Sequence, residues 1–279
     1  MRDLARDARL LSLNTATLGP ERSLEDAVEG CLRHEISGIS PWRDKIAQAG
    51  LPQAARMIKR AGLTVTGVCR GGMFPAADAA GRRKALEDNR RAIDEAAVLE
   101  AACLVLVVGG LPPGSKDIDD ARKQVEDGIA NLLDYARSLK VQLAIEPLHP
   151  MYAADRACVN TLGQALDLCD RLGPGLGVAV DVYHVWWDPD LARQIARGGR
   201  NGQLLAYHLC DWMVPTTDML LDRGMMGDGI IDLKSIRRKM ETAGYAGHCE
   251  VEIFSAANWW PKSIDEILQT MVDRGKTCV

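Results

Sequence analysis

Long apolar runs are missing from this chain. No stretch of its 279 residues reaches the 18 or so apolar positions that a membrane-spanning helix needs, so no membrane partner is expected. The N-terminal stretch MRDLARDARL has no apolar core, which argues against a secretory signal. A basic excess is also missing. Lys and Arg total 34 against 38 Asp and Glu, for a formal net charge of −4, so the electrostatic footprint of nucleic-acid binding is absent. No C-x-x-C pair occurs among the eight cysteines Cys31, Cys69, Cys103, Cys158, Cys169, Cys210, Cys249 and Cys278. Scattered thiols of this kind exclude a disulfide framework and a thiolate zinc centre; reduced, mostly buried thiols and a cytoplasmic location are expected instead. Also absent are a G-x-G-x-x-G after the first apolar run, a linker and any low-complexity segment.

What is present is alternation. Apolar, strand-like runs lie at 10–18, 38–42, 63–69, 103–110, 141–147, 176–184, 204–211 and 248–254. Amphipathic runs of helical period separate them, at 23–35, 52–62, 82–101, 120–140, 161–173, 190–199, 232–244 and 263–273. Three of these end in Gly62, Gly173 and Gly244, where a helix exit accepts a left-handed residue. Eight strand–helix pairs with nothing between them predict a single α/β domain over 1–279, a (β/α)8 TIM barrel. A doubly wound sheet has the same alternation but lacks its dinucleotide-binding loop here.

Side chains alternate across a strand, so inward and outward faces can be read from parity. In GVAVDVYHVWWDP (177–189), Val178, Val180 and Val182 face the helices, while Gly177, Ala179 and Asp181 face the barrel axis. The same reading puts Leu143 and Ile145 outward with Ala144 and Glu146 inward. It puts Leu205, Tyr207 and Leu209 outward with Ala206 and His208 inward, and Cys249, Val251 and Ile253 outward with Glu250 and Glu252 inward. Four consecutive strands thus each aim one strong ligand at the C-terminal mouth: Glu146, Asp181, His208 and Glu252. Three carboxylates in a partly dry mouth repel one another unless a cation offsets them. Three oxygen donors and one imidazole suit one divalent ion of the Mn²⁺ type, with Mg²⁺, Co²⁺ or Zn²⁺ as alternatives. All six tryptophans fall at or just past strand ends (Trp42, Trp186, Trp187, Trp212, Trp259 and Trp260), a rim that fits the C–H faces of a sugar. Trp186 and Trp212 are the expected pocket members of that rim.

At these residues the chain resembles the xylose-isomerase-like barrel superfamily, the sugar phosphate isomerases/epimerases that include ketose 3-epimerases, inosose dehydratases and endonuclease IV. The resemblance runs over nearly the whole chain. It implies a Mn²⁺-like ion held by Glu146, Asp181, His208 and Glu252, and a substrate-binding His184 three residues after the Asp. An Arg-x-x-x-Gly-x-Gly loop matches Arg223, Gly227 and Gly229. It further implies a sugar as small-molecule partner and a homo-oligomer, dimer or tetramer. Two departures stand at the substrate end. The segment between His208 and Arg223 is longer than in simple ketose epimerases, and the Glu they carry six residues after the first ligand is here Tyr152. His149 and Arg70 are the expected replacement contacts.

The expected reaction is proton abstraction α to a metal-bound carbonyl through an ene-diolate, with Glu146 and Glu252 as the catalytic pair. Isomerisation or epimerisation of a keto-sugar or related polyol is the leading expectation. A lyase that expels a β-oxygen from the same enolate is the nearest alternative. Five histidines and no basic surface argue against an endonuclease IV-like cluster, and a sugar-binding module would not need two carboxylates on the ion.

Overall fold

The computed structural model describes residues 7–279. Residues 1–6, most of the stretch read against a signal peptide, lie outside the described residues. The strands are β1 (Leu11–Asn14), β2 (Gly38–Ser40), β3 (Thr64–Val65), β4 (Val68–Gly72), β5 (Leu104–Val107), β6 (Leu143–Ile145), β7 (Leu176–Asp181), β8 (Leu204–Leu209), β9 (Asp211–Trp212), β10 (Arg223–Gly224) and β11 (Cys249–Val251). Nine of them form one parallel sheet in the order β3-β2-β1-β11-β8-β7-β6-β5-β4. Its two ends, β3 and β4, are successive halves of one chain segment, so the sheet is nearly closed. The expected α/β barrel is the observed fold. β9 and β10 form a separate antiparallel ribbon above the sheet's C-terminal mouth.

The helices form where side chains satisfy their free N-terminal amides. Ser23 with Asp26 and Thr161 with Gln164 make reciprocal capping boxes, and Asp78, Asp117, Asp232 and Ser263 cap the helices that follow them. Gly62, Gly173 and Gly244 all have positive φ at helix exits, as their positions predicted. The stretch Arg43–Ala49, unassigned from periodicity, is an additional short helix.

Two layers of apolar packing follow from strand parity. Leu143, Ile145, Val178, Val180, Tyr207, Leu209, Cys249, Val251 and Ile253 join the large core between sheet and helices. Inside the barrel, a small cluster of Cys69, Cys103, Val105, Ala144, Ala179 and Ala206 leaves room beneath the mouth.

Two local readings are corrected. Leu205, expected outward, packs against the barrel interior. The β7–β8 register skips one residue, from Val178–Leu204 to Ala179–Ala206, and this bulge turns Leu205 inward against Gly177. The strand expected to run through residue 184 stops at Asp181. Its carboxylate accepts a hydrogen bond from the Tyr183 amide (2.8 Å) and caps a single helical turn, Val182–Val185, that carries His184.

Candidate metal and substrate site

Each candidate ligand stands at the C-terminal end of its strand. Asp181 is the last residue of β7 and His208 the penultimate residue of β8, while Glu146 and Glu252 lie one residue beyond β6 and β11. Ligand atoms of all four lie within 4.8 Å of one another, and all four residues are buried. The sheet order β11-β8-β7-β6 makes them an arc with Glu252 and Glu146 at its two ends. The His208 ring spans two carboxylates: Nδ1 lies 3.0 Å from Glu146 Oε1 and Nε2 lies 3.4 Å from Glu250 Oε1.

A polar layer beneath holds these groups. Ser12 and Asn14 alternate inward on β1. The Asn14 amide donates to Glu250 Oε1 (2.8 Å) and Glu252 Oε1 (3.0 Å), and its carbonyl accepts from Trp42 Nε1 (2.8 Å). The Thr66 hydroxyl donates to Glu250 Oε2 (2.8 Å) and shares a hydrogen bond with Ser12 (2.7 Å). Glu250 is therefore held by hydrogen-bond donors one layer below the mouth. Asn14 was not singled out from sequence, although the alternation in LSLN placed it inward.

Above the carboxylates sits Arg223, also buried. Its Nη1 donates to Asp181 Oδ2 (2.9 Å) and Glu252 Oε2 (3.1 Å), its Nη2 lies 3.2 Å from His184 Nε2, and its guanidinium stacks 4.4 Å from the Tyr183 ring. The loop after β10 is shaped to keep it there. Asp211 accepts from the Gly227 and Ile231 amides (2.9 and 3.0 Å), and a Cβ on Gly229 would lie 2.1 Å from the Trp212 carbonyl oxygen. Of the two glycines of the Arg-x-x-x-Gly-x-Gly match, Gly229 permits a close approach of backbone to backbone, and Gly227 takes a positive φ of 91°.

The electrostatics are those of a crowded anionic centre. Burial and the neighbouring Glu146 carboxylate push Glu252 up to about 8, against Arg223 and His208, which lower it. Burial would raise Asp181 too, but Arg223 and the two histidines outweigh it and hold that carboxyl below its usual range. Burial opposes the His208 charge, yet Glu250 and Glu146 prevail and hold the imidazole protonated well above the usual histidine value. For His184, burial outweighs the support of the Asp181 carboxylate 3.6 Å away, and with Arg223 beside it the ring is pushed down to about 3, so it is neutral.

This donor set fits a divalent cation. Three carboxylates and an imidazole converge from four strands with charge that otherwise only protons on His208 and Glu252 and the Arg223 guanidinium offset. The Glu250 carboxylate beside Nε2 favours the tautomer that leaves Nδ1 free as a ligand.

The remaining candidates line the mouth. His184 Nδ1 accepts from the His149 backbone amide (3.2 Å), and the His149 ring lies 5.1 Å from Trp212 and 5.7 Å from Trp187. Trp212 packs on Tyr183 (4.7 Å) and Trp186 (5.7 Å). Arg70 is half-buried on β4, with no hydrogen bond or ion pair among the described residues. Trp259 and Trp260 are brought elsewhere: their ring nitrogens donate to Asp228 (2.8 Å) and the Ala16 carbonyl (2.9 Å), so both are structural plugs. Tyr152 and Tyr183 both donate through their hydroxyls to the Met219 carbonyl, which sequence alone did not reveal.

A barrel with this mouth is one the known families share. The family model described as "Xylose isomerase-like TIM barrel" matches residues 26–271, and the chain belongs to that family. Protein SMc04130 from Sinorhizobium meliloti 1021 has a solved structure 62% identical in sequence, with TM-score 0.96 over 98% of this chain and 99% of that one. The IOLI protein, solved with a bound zinc atom, is 18% identical and shares the fold at TM-score 0.81 over 95% of this chain and 97% of that one. The L-ribulose-5-phosphate 3-epimerase UlaE of Salmonella paratyphi C (strain RKS4594) is 25% identical over 139 residues, 49% of this chain. The match spans less than half of that relative, 45% of its length.

Proposed function

We propose that this chain is a metal-dependent isomerase or epimerase of a keto-sugar or related polyol. The observation that carries it is the convergence of Glu146, Asp181, His208 and Glu252 within 4.8 Å, with a carboxylate at each end of the arc. These four residues would hold the ion, most simply Mn²⁺ among oxygen-preferring divalent metals, although the zinc of the IOLI structure makes Zn²⁺ the second choice. When bound, the ion polarises a carbonyl and offsets the negative charge that develops beside it. The chain's own residues do the rest. Glu146 and Glu252 approach from opposite ends of the arc, so one can take the α-proton and the other return it. A proton returned to the opposite face of the same carbon gives an epimer, and one returned to the neighbouring carbon gives an isomer. Arg223, neutral His184 and Arg70 supply donors that orient the substrate oxygens. Arg223 Nε and Trp186 Nε1 are buried without a hydrogen-bond partner among the described residues, which supports their having one in a ligand. His149, Trp212 and Trp186 provide the flat apolar wall.

The same α-proton removal precedes loss of a β-oxygen, and the replacement of the expected Glu by Tyr152 keeps a lyase as the second reading. Deuterium-exchange NMR on a panel of ketoses, inososes and 3-keto-glycosides distinguishes them. Solvent deuterium in a product whose mass is otherwise unchanged supports the isomerase or epimerase. Loss of water or an aglycone with no epimer moves the reading to the lyase.

A further inference from the structure

The two substrate-end departures, Tyr152 and the long segment before Arg223, touch each other. The Tyr152 hydroxyl donates to the carbonyl of Met219, and so does that of Tyr183 (2.9 Å). Among the described residues, these are the only hydrogen bonds that tie residues 213–220 to the molecule outside the stretch 212–222. Its other bonds run to its own stem: the Thr217 amide and hydroxyl donate to Asp222 (2.7 and 2.9 Å), and the Leu220 and Leu221 amides donate to Asp218 (2.8 and 2.9 Å), while the Leu221 carbonyl accepts from the Ala256 amide (3.0 Å). One face, with Val214, Thr217 and Asp218, is exposed, while Met219 packs against the core. The candidate ligands at the mouth are closed off: Glu146 is 5% exposed, Asp181 and His208 0%, and Glu252 3%. A barrel mouth is open unless something covers it, and this site must admit an ion and a substrate.

We infer that segment 213–220 is a gate over the site and that Tyr152 and Tyr183 are its latch, two positioning residues that set access. The inference rests on the proposed location of the active site. The segment can swing as a unit because it is internally hydrogen-bonded and hinged on the β9–β10 ribbon. Opening has a direct line to the site through the two latch rings: that of Tyr183 lies under the Arg223 guanidinium and that of Tyr152 is 5.9 Å from His184.

The test uses the full-length protein and the conservative variants Tyr152→Phe, Tyr183→Phe and the double variant, which keep both rings. Backbone hydrogen exchange by mass spectrometry is read over 213–220, and the loss of Mn²⁺ to excess EDTA is followed in the loaded protein. Each lost hydroxyl should raise exchange in the segment about five- to tenfold, the effect of one net hydrogen bond. Exchange in the barrel strands should be unchanged, and the double variant should surrender Mn²⁺ at least about fivefold faster than the parent. Exchange over 213–220 identical to the parent in the double variant overturns the latch. Faster exchange with unchanged Mn²⁺ release overturns the gate. Should the double variant not fold, the single variants decide by the same two measurements. A parent protein that takes up no divalent ion would defeat the proposed function, while the exchange measurement on the metal-free chain would still decide the latch.

Discussion

His208 is where charge, hydrogen bonding and the proposed metal chemistry meet. Glu250 and Glu146 raise its pKa well above the ordinary value, so in the metal-free protein the imidazolium stabilises the fold. That stabilisation is fully present below the unfolded-state pKa of about 6.5 and is lost as pH rises through the folded value. An ion must displace this proton, and Glu252, raised to about 8, carries a second one at neutral pH. Metal binding at pH 7 should therefore release between about one and two protons, and affinity should rise up to about tenfold per pH unit for each. Calorimetry in buffers of different ionisation enthalpy measures this number, and a value of zero would contradict the protonation pattern. His208→Ala should abolish tight metal binding; His184→Ala should keep the metal and lose turnover. Glu250→Gln should weaken the metal by about 10- to 100-fold, as loss of a ligand's supporting carboxylate does, whereas Glu252→Gln removes a donor outright. If Glu250→Gln alone abolished binding, the assignment of depth on β11 would be reversed. Glu146→Gln or Glu252→Gln in a variant shown to retain metal should cost at least about 10² in rate.

Among the elements, the loop after β10 makes the sharpest demand on sequence. A Cβ on Gly229 would stand 2.1 Å from the Trp212 carbonyl oxygen and 2.7 Å from Asp211 Oδ1, and backbone cannot retreat as a side-chain tip can. Gly229→Ala should thus destabilise by about 1–3 kcal/mol, the range for forced overpacking, and should displace Arg223 as well. Denaturant melts give the first effect and loss of substrate affinity at preserved metal content the second. Gly62→Ala is a useful contrast. Nothing lies within 4 Å of its added Cβ, so its cost comes from positive φ alone.

For the whole molecule, a site drawn from four strands would make the proposed metal binding a global stabiliser. The unfolded chain scatters these donors over residues 146–252, so an ion binds the folded state far better. At 100 times Kd it should add about 2.7 kcal/mol, a rise of roughly 5–10 °C in Tm for a domain of this size. Scanning calorimetry with and without Mn²⁺ checks it, and the His208→Ala variant should show no such shift. The seven buried cysteines do not contribute to that centre as disulfides, since all eight are free thiols. No helix among the described residues is long and apolar enough to cross a membrane.

Local order along the chain carried a great deal. The alternation of strand-like and helical runs pointed to a parallel sheet covered by helices, because strands of period two and helices of period 3.6 bury their apolar faces against one another, and eight such pairs without a dinucleotide-binding loop favoured the barrel. Parity within single strands put Glu146, Asp181, His208 and Glu252 on one inward face, and Ala144, Ala179 and Ala206 beneath three of them. Contacts between distant segments were beyond such reading. The bulge that turns Leu205 inward depends on the register of β7 against β8. The helical turn that carries His184 depends on Asp181 capping Tyr183. Asn14 reaches Glu250 and Glu252 across more than 230 positions of chain, because β1 and β11 happen to be neighbours in the closed sheet. The meeting of Tyr152 with Met219 is of the same kind. Periodicity is a property of neighbours along the chain, whereas these contacts exist only once closure of the sheet brings the strand ends together.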